Sequence, residues 1–376
     1  MQKKRLIQKI FEALRAFFTK NICFEFECIP IHISNASYRK IINWIMVELA
    51  IVLKTKRPLG WPTFLQIEPT TKCNLKCSYC PVSQIENSST GHMDKKMFEQ
   101  VVDELADYTL LLVFWGWGEP FVNPQVYDMI AHAKKRGINV ISSTNGYVFT
   151  DKKQARQLVL SGIDYLIVST VGISQESYEH FRQGNVNKPL QGIQNIVEQK
   201  KKLNSSTPLI SLTLVVTQYS EHEVRLAKEV AESLEVDMLS LKKINQCTRE
   251  IDGKKNIDIL PNDLKYHRLR YEKGSHTPIM VRHNPCKALW HNTTLRWNGR
   301  VNSCAFDFSG VSALGDFNKK NIKEIWHDEP YHKMRYQFRE DWKSISICSK
   351  CTYAFAGGNY TDIIAESFFF KNVQQK

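Results

Sequence analysis

Three cysteines, Cys73, Cys77 and Cys80, fall within eight residues in the spacing CxxxCxxC. Three soft thiolate ligands in one short loop can hold three corners of a cubane iron–sulfur cluster, leaving the fourth iron open to another ligand. The competing readings are three unrelated thiols or a zinc site short of a ligand. The nearest extra donor for zinc is His92, twelve residues beyond Cys80. Four more cysteines come late: Cys286, Cys304, Cys348 and Cys351, the last two as CxxC. Four thiolates can close around zinc or around an iron–sulfur cluster, and the donor types alone leave both open. Cys23, Cys28 and Cys247 read as ordinary buried or surface thiols.

Polar residues follow several apolar runs. After Leu110–Trp115 comes Gly116-Trp117-Gly118-Glu119-Pro120, where glycine permits close backbone approach and Glu119 can accept from an ammonium group. A tight turn would explain the same motif. Ser142-Ser143-Thr144-Asn145-Gly146 reads as a polar strand end with an Asn-Gly turn. Ser169 ends the next strand. Arg182 could pair with a carboxylate or sit solvated at a helix end.

These residues need elements to position them. Phe64–Glu68 alternates as a strand and stops at Pro69, so the cysteine loop lies at a strand's C-terminal end. Beyond it, Asp94 caps a helix, Leu110–Trp115 reads as a buried parallel strand, and Gly137 stops a helix carrying Val126, Met129, Ile130 and Ala133. Strands over 138–143, 164–169, 209–216 and 236–242 alternate with helices over 151–161 and 189–203. A last helix opens on a Ser220/Glu223 capping box. Six strand–helix units predict an α/β fold, a partial (β/α)6 TIM-like parallel barrel with its chemistry at the strands' C-terminal ends. Residues 61–243 form this barrel, 244–285 a connector, and 286–376 a small cysteine-rich domain. Residues 1–60 form a helical N-terminal extension. It comprises an amphipathic helix over 1–20, a strand or hairpin over 22–33 broken by Pro30, and a second helix over 37–55.

The chain has 376 residues, net charge +13 and pI near 9.2. A basic surface suits an anionic substrate or membrane surface, and no zinc-finger, helix-turn-helix or RNP-like pattern points to nucleic acid. The helix over 1–20 sets Leu6, Ile10, Leu14 and Phe17 on a stripe opposite several Lys and Arg. Either it lies peripherally in an anionic membrane surface or its stripe packs on the body of the protein. No secretory h-region or membrane-spanning run is visible, so clustered thiols in a cytoplasmic, reducing setting point to metal.

With Tyr79 before the third cysteine, the loop Cys73-xxx-Cys77-x-Tyr79-Cys80 after a first barrel strand resembles the radical S-adenosylmethionine (SAM) superfamily. The resemblance implies a [4Fe–4S] cluster whose open iron is chelated by SAM's methionine moiety, with Tyr79 near the adenine. It implies that Gly118 and Glu119 stand in the family's GGE motif and hold the SAM amino group, with Trp117 in place of the first glycine. Thr144, Asn145 and Ser169 would approach the SAM ribose or carboxylate, and Arg182 is a further candidate for cofactor binding through its pairing with a carboxylate. The pattern Cys286-x12-Gly299-x4-Cys304, then Leu314-Gly315-Asp316, Ile322-xx-Ile325-Trp326 and Cys348-xx-Cys351, resembles the SPASM or twitch auxiliary domain. With no cysteine after Cys351, it implies one auxiliary [4Fe–4S] cluster held by all four. Expected partners are a flavodoxin- or ferredoxin-type reductant and a small-molecule, lipid-linked or peptide substrate. The expected activity is an oxidoreductase-type radical SAM enzyme. The alternatives are a non-catalytic iron–sulfur carrier and a radical methyltransferase.

Overall fold

Apolar runs spaced by helices pair into one sheet. The computed structural model describes residues 2–84, 90–244, 259–269, 279, 284, 286–308, 310–349, 351 and 362–370, with side chains from residue 11 onward except residue 84. Cys247, most of the 244–285 connector and Gly357-Gly358 lie outside the described residues.

The chain opens with α1 (Gln2–Thr19), the hairpin strands β1 (Ile22–Phe26) and β2 (Ile29–Ile33), and α2 (Tyr38–Val52). Then come β3 (Phe64–Ile67), α3 (Lys95–Leu105), β4 (Leu111–Val113), α4 (Val126–Lys135), β5 (Asn139–Thr144) and α5 (Lys152–Leu160). These lead to β6 (Tyr165–Thr170), α6 (Gln175–Phe181), α7 (Asn187–Lys202), β7 (Leu209–Val216), α8 (Val224–Ser233) and β8 (Met238–Lys243). β3 through β8 are parallel neighbours in sequence order, the predicted six-stranded partial barrel.

The cysteine-rich C-terminal part joins that sheet. After α9 (Ala288–His291), β9 (Asn292–Leu295) lies parallel to β3, and β10 (Arg300–Asn302) and β11 (Ala313–Asp316) continue antiparallel. Gly299, at φ +89°, turns the β9–β10 hairpin. Helices α10 (Ile322–Trp326), α11 (Glu329–Asp341) and α12 (Ser346–Ser349) follow. β12 (Ile364–Phe369) returns antiparallel to β8, so both margins of the six-stranded arc are covered.

One face of the sheet carries the helices. Phe98, Val101, Val102 and Leu105 of α3 are fully buried there with Leu65, Leu112 and Val140. Each such side chain contributes about 1.5–3 kcal/mol. The other face is covered by the β1–β2 hairpin. Ile22, Phe26, Ile31 and Ile33 bury against Leu111, Val113, Ile141, Ile167 and Met238. The hairpin turns at Glu27 and Cys28, both at positive φ, so its twist matches a primed turn. Pro30 does not break β2. It lies inside the strand, opposite Glu25, in a two-stranded ribbon where every strand is an edge.

α2 sits under the barrel at the strands' N-terminal ends. Asn43 Nδ2 donates to the carbonyls of Trp61 (3.0 Å) and Tyr108 (3.2 Å), and Lys40 Nζ donates to that of Gly137 (2.5 Å). These residues lead into β3, β4 and β5. Of the α1 stripe, Phe11, Leu14, Phe17 and Phe18 remain exposed, whereas Ala16 is buried.

The Ser220/Glu223 capping box does not form. Ser220 Oγ accepts from its neighbour Thr217 N at 3.1 Å, and the Glu223 carboxylate accepts from Ile173 N (2.7 Å) and Ser174 N (3.1 Å). A local turn partner claims Ser220 and tertiary partners claim Glu223, and α8 starts only at Val224.

Candidate functional site

β3 delivers the chain through Glu68 and Pro69 into the cysteine loop. The loop is held from three sides. Glu119 N donates to Lys72 O at 2.9 Å and Ser78 N to Phe181 O at 3.2 Å. Ser83 Oγ donates to the carbonyls of Cys80 (2.6 Å) and Cys77 (3.1 Å). Cys73, Cys77 and Cys80 are part-exposed thiols. Burial pushes Cys73 up to about 11 and also raises Cys77, while the Arg182 guanidinium acts on both in the opposite sense. Thiols that resist ionising in isolation need a metal's charge to hold them as thiolates, so this donor set fits a cluster.

Gly118 passes directly beneath the loop. A β-carbon there would fall 2.4 Å from Thr70 O and 2.6 Å from Lys72 O, so only glycine fits. Glu119 is buried and accepts from Thr144 Oγ1 (2.8 Å), Asn145 N (2.7 Å) and Phe121 N (3.4 Å). Burial outweighs those bonds and pushes its carboxyl up to about 7. Asn145 Nδ2 donates to Asn74 Oδ1 at 2.7 Å and lies 3.9 Å from Cys73 Sγ. Glu119, Thr144, Asn145 and Cys73 thus form one connected group.

Arg182 and Ser169 also come together. Arg182 Nη1 donates to Ser169 O (2.5 Å) and Nη2 to Ser169 Oγ (3.2 Å), so this arginine is fixed rather than solvated. α6 places it there, an element the sequence reading omitted. Tyr79 lies against Phe181 of α6, ring centroids 5.1 Å apart.

Cys286, Cys304, Cys348 and Cys351 line one cavity of about 270 Å³. Burial pushes Cys286 up to about 12 and raises Cys304 and Cys348 further still; in each case Cys351 adds to the rise. Among the described residues no three His, Cys, Asp or Glu side chains close on a single-ion site. In a cubane each of the four thiolates would take a different iron. The cavity continues to Gln66, Trp115, Trp117 and Lys242 at the ends of barrel strands, and to Phe26 and Glu27 of the hairpin turn. Glu27 forms an ion pair with Lys242 at 2.7 Å.

Two residues overlooked in the sequence join the two cysteine sets. Glu68 is buried at 2% and pairs with Arg296 Nε at 2.9 Å; Arg296 Nη1 also donates to the carbonyls of Asp307 and Phe308 at 3.2 Å. A charged residue ending an apolar strand, five positions before a thiolate ligand candidate, was the available signal. Trp117 stacks edge-on against Phe308, centroids 4.9 Å apart, which accounts for an indole in place of the motif's first glycine.

Residues 67–229 match the radical SAM superfamily, and residues 286–352 match SPASM, an iron–sulfur cluster-binding domain. The chain thus carries a radical SAM domain followed by a C-terminal SPASM domain. Those domains imply a [4Fe–4S] cluster, auxiliary iron–sulfur binding and SAM as its cofactors. Among curated relatives, it is 24% identical to a tungsten-containing aldehyde ferredoxin oxidoreductase cofactor-modifying protein of Pyrococcus furiosus, over 73% of this chain and 83% of that one. It is 22% identical to an Fe-coproporphyrin III synthase of Methanosarcina barkeri, over 58% of this chain, and spans about half (54%) of that protein's length. Its fold is similar to that of Streptococcus suis SuiB bound to the precursor peptide SuiA, with TM-score 0.59 and 15% identity over 90% of this chain and 82% of SuiB. No helix among the described residues is long and apolar enough to cross a membrane.

Proposed function

We propose that the protein is a radical SAM enzyme that oxidises a small molecule after hydrogen-atom abstraction. The observation that carries this reading is the single cavity, lined at once by the four late cysteines and by strand-end side chains of the barrel. When bound, the cofactors supply reductive SAM cleavage to a 5′-deoxyadenosyl radical and a second iron–sulfur centre able to accept one electron. Cys73, Cys77 and Cys80 would hold the first cluster, and Cys286, Cys304, Cys348 and Cys351 a single auxiliary one.

The remaining roles fall to the chain itself. Glu119, ionised, offers its carboxylate to an ammonium group, and Thr144 and Asn145 fix its orientation. Arg182, held by Ser169, supplies positive charge beside the thiolates and Glu119. Tyr79 offers a ring face for a base. The cavity walls are aromatic at Phe26, Trp115, Trp117 and Phe306, with Lys242 and Arg268 as cations and Glu27 as the anion. They suit a compact, partly planar substrate with an anionic end better than an extended peptide. A flavodoxin- or ferredoxin-type donor would deliver the electron.

Anaerobic, reconstituted and reduced protein should form 5′-deoxyadenosine from SAM. Substrate carrying deuterium should pass it into that product. An intact cluster that yields no 5′-deoxyadenosine would overturn the enzyme reading in favour of an electron carrier.

A further inference from the structure

We propose that α1 and α2 form a docking face for an anionic lipid surface. α2 is apolar on both sides. Ile41, Trp44, Val47 and Ala50 are buried, while Ile42, Leu49, Val52 and Leu53 are 40–60% exposed along the opposite side. Those four recur at helical spacing, so they form one stripe. α1 adds Phe11, Leu14, Phe17 and Phe18, exposed at 41–79%. The two helices' apolar surfaces are continuous: Phe17 packs on Tyr38 at the start of α2, ring centroids 5.2 Å apart. A patch of this kind on a water-soluble surface marks an interaction site.

Charge selects the occupant. Residues 1–57 carry eleven Lys and Arg against four Glu. Three of the four glutamates are on other business: Glu27 pairs with Lys242, Glu48 with His291, and Glu25 lies on the hairpin. Arg15 on α1, Lys20 just past its end, and Lys54 just beyond α2 are exposed beside the apolar stripe. An amphipathic helix with a basic flank lies in an anionic interface, its apolar side among the acyl chains. Two copies of this face would instead bring two cationic surfaces together, which disfavours self-association.

The orientation follows from α2's anchors. It is tied to the N-terminal ends of β3, β4 and β5, whereas the cysteine loop lies at the C-terminal end of β3. Docking through α1 and α2 therefore leaves the site facing away from the lipid. The lipid is an anchor, not the substrate.

The full chain, with its clusters, is sedimented anaerobically with phosphatidylcholine vesicles and with mixed phosphatidylglycerol–phosphatidylcholine vesicles. Binding to the mixed vesicles should be about tenfold tighter or more, and should weaken as salt is raised. The triple variant Phe18→Ser, Ile42→Ser, Leu49→Ser should lose about tenfold in vesicle binding while keeping its iron content and circular dichroism. Arg15→Glu with Lys20→Glu should remove the preference for anionic lipid. The proposal fails if the wild type ignores both vesicle types, or if it binds as the triple variant does. It also fails if sedimentation equilibrium shows a dimer that the triple variant abolishes and vesicles do not compete with.

Discussion

Glu119 shows how much a single side chain can depend on its surroundings. Its neighbours Thr144, Asn145 and Phe121 all donate to it, yet burial dominates and lifts its carboxyl from 4.5 to about 7. Between those values the folded chain holds a proton that the unfolded chain has released. The stabilising contribution is complete below about pH 4.5 and is lost as pH rises through about 7. SAM-free wild type should therefore lose melting temperature relative to Glu119→Gln on going from about pH 5 to about pH 8; parallel profiles would contradict the burial argument. Because an ammonium ligand needs the ionised form, SAM affinity should rise over the same interval, and Glu119→Gln should flatten it. Gly118 makes a steric counterpart. The β-carbon of Gly118→Ala meets backbone oxygens that cannot swing aside, so the variant should cost about 1–3 kcal/mol in urea unfolding and lose SAM binding. Both residues stand out in the sequence because their signal is local: a short motif following an apolar strand. Glu68 and Arg296 were not, because each takes its role from a partner 228 positions away.

At the level of elements, the Glu68–Arg296 pair joins the end of β3 to the residue just past β9. Removing one member leaves the other charge buried, which costs about 3–5 kcal/mol. Arg296→Met should show that loss by urea unfolding, and adding Glu68→Met should recover most of it. If the double variant is as weak as the sum of the singles, the pair is not coupled. The strands of the barrel could be read from periodicity, and the Asp94 cap from its residue type. α6 was missed because its seven residues have no apolar stripe of their own. The capping box at Ser220 failed for the converse reason: a correct local signal lost to tertiary hydrogen bonds from Ile173 and Ser174. Neither β9 beside β3 nor β12 beside β8 was foreseen, since strand pairing is decided by the whole sheet.

At the scale of the molecule, the two cysteine sets flank strands of one continuous sheet. A Cys348→Ala, Cys351→Ala variant should still hold iron through Cys73, Cys77 and Cys80, with its content falling by about half. Unchanged iron accompanied by loss of bound zinc would defeat the auxiliary-cluster assignment. The family was legible because cluster ligation demands cysteines at fixed spacing. The substrate was not, because its cavity is assembled from the hairpin turn, strand ends and late cysteines, which no local pattern connects.

The late partner of β3 has a consequence for how the chain must be made. β3 is the first strand of the barrel to emerge, yet β9, which covers its open edge, follows some two hundred residues later: Thr63 and His291, bonded at that seam, are 228 positions apart. Until then Phe64, Leu65 and Ile67 present an uncovered hydrophobic edge, the kind of template that recruits other strands. Such non-local closure is slow. A chain truncated after residue 285 should consequently accumulate as aggregates even with a correct barrel sequence, and supplying residues 286–376 in trans during refolding should raise the soluble yield.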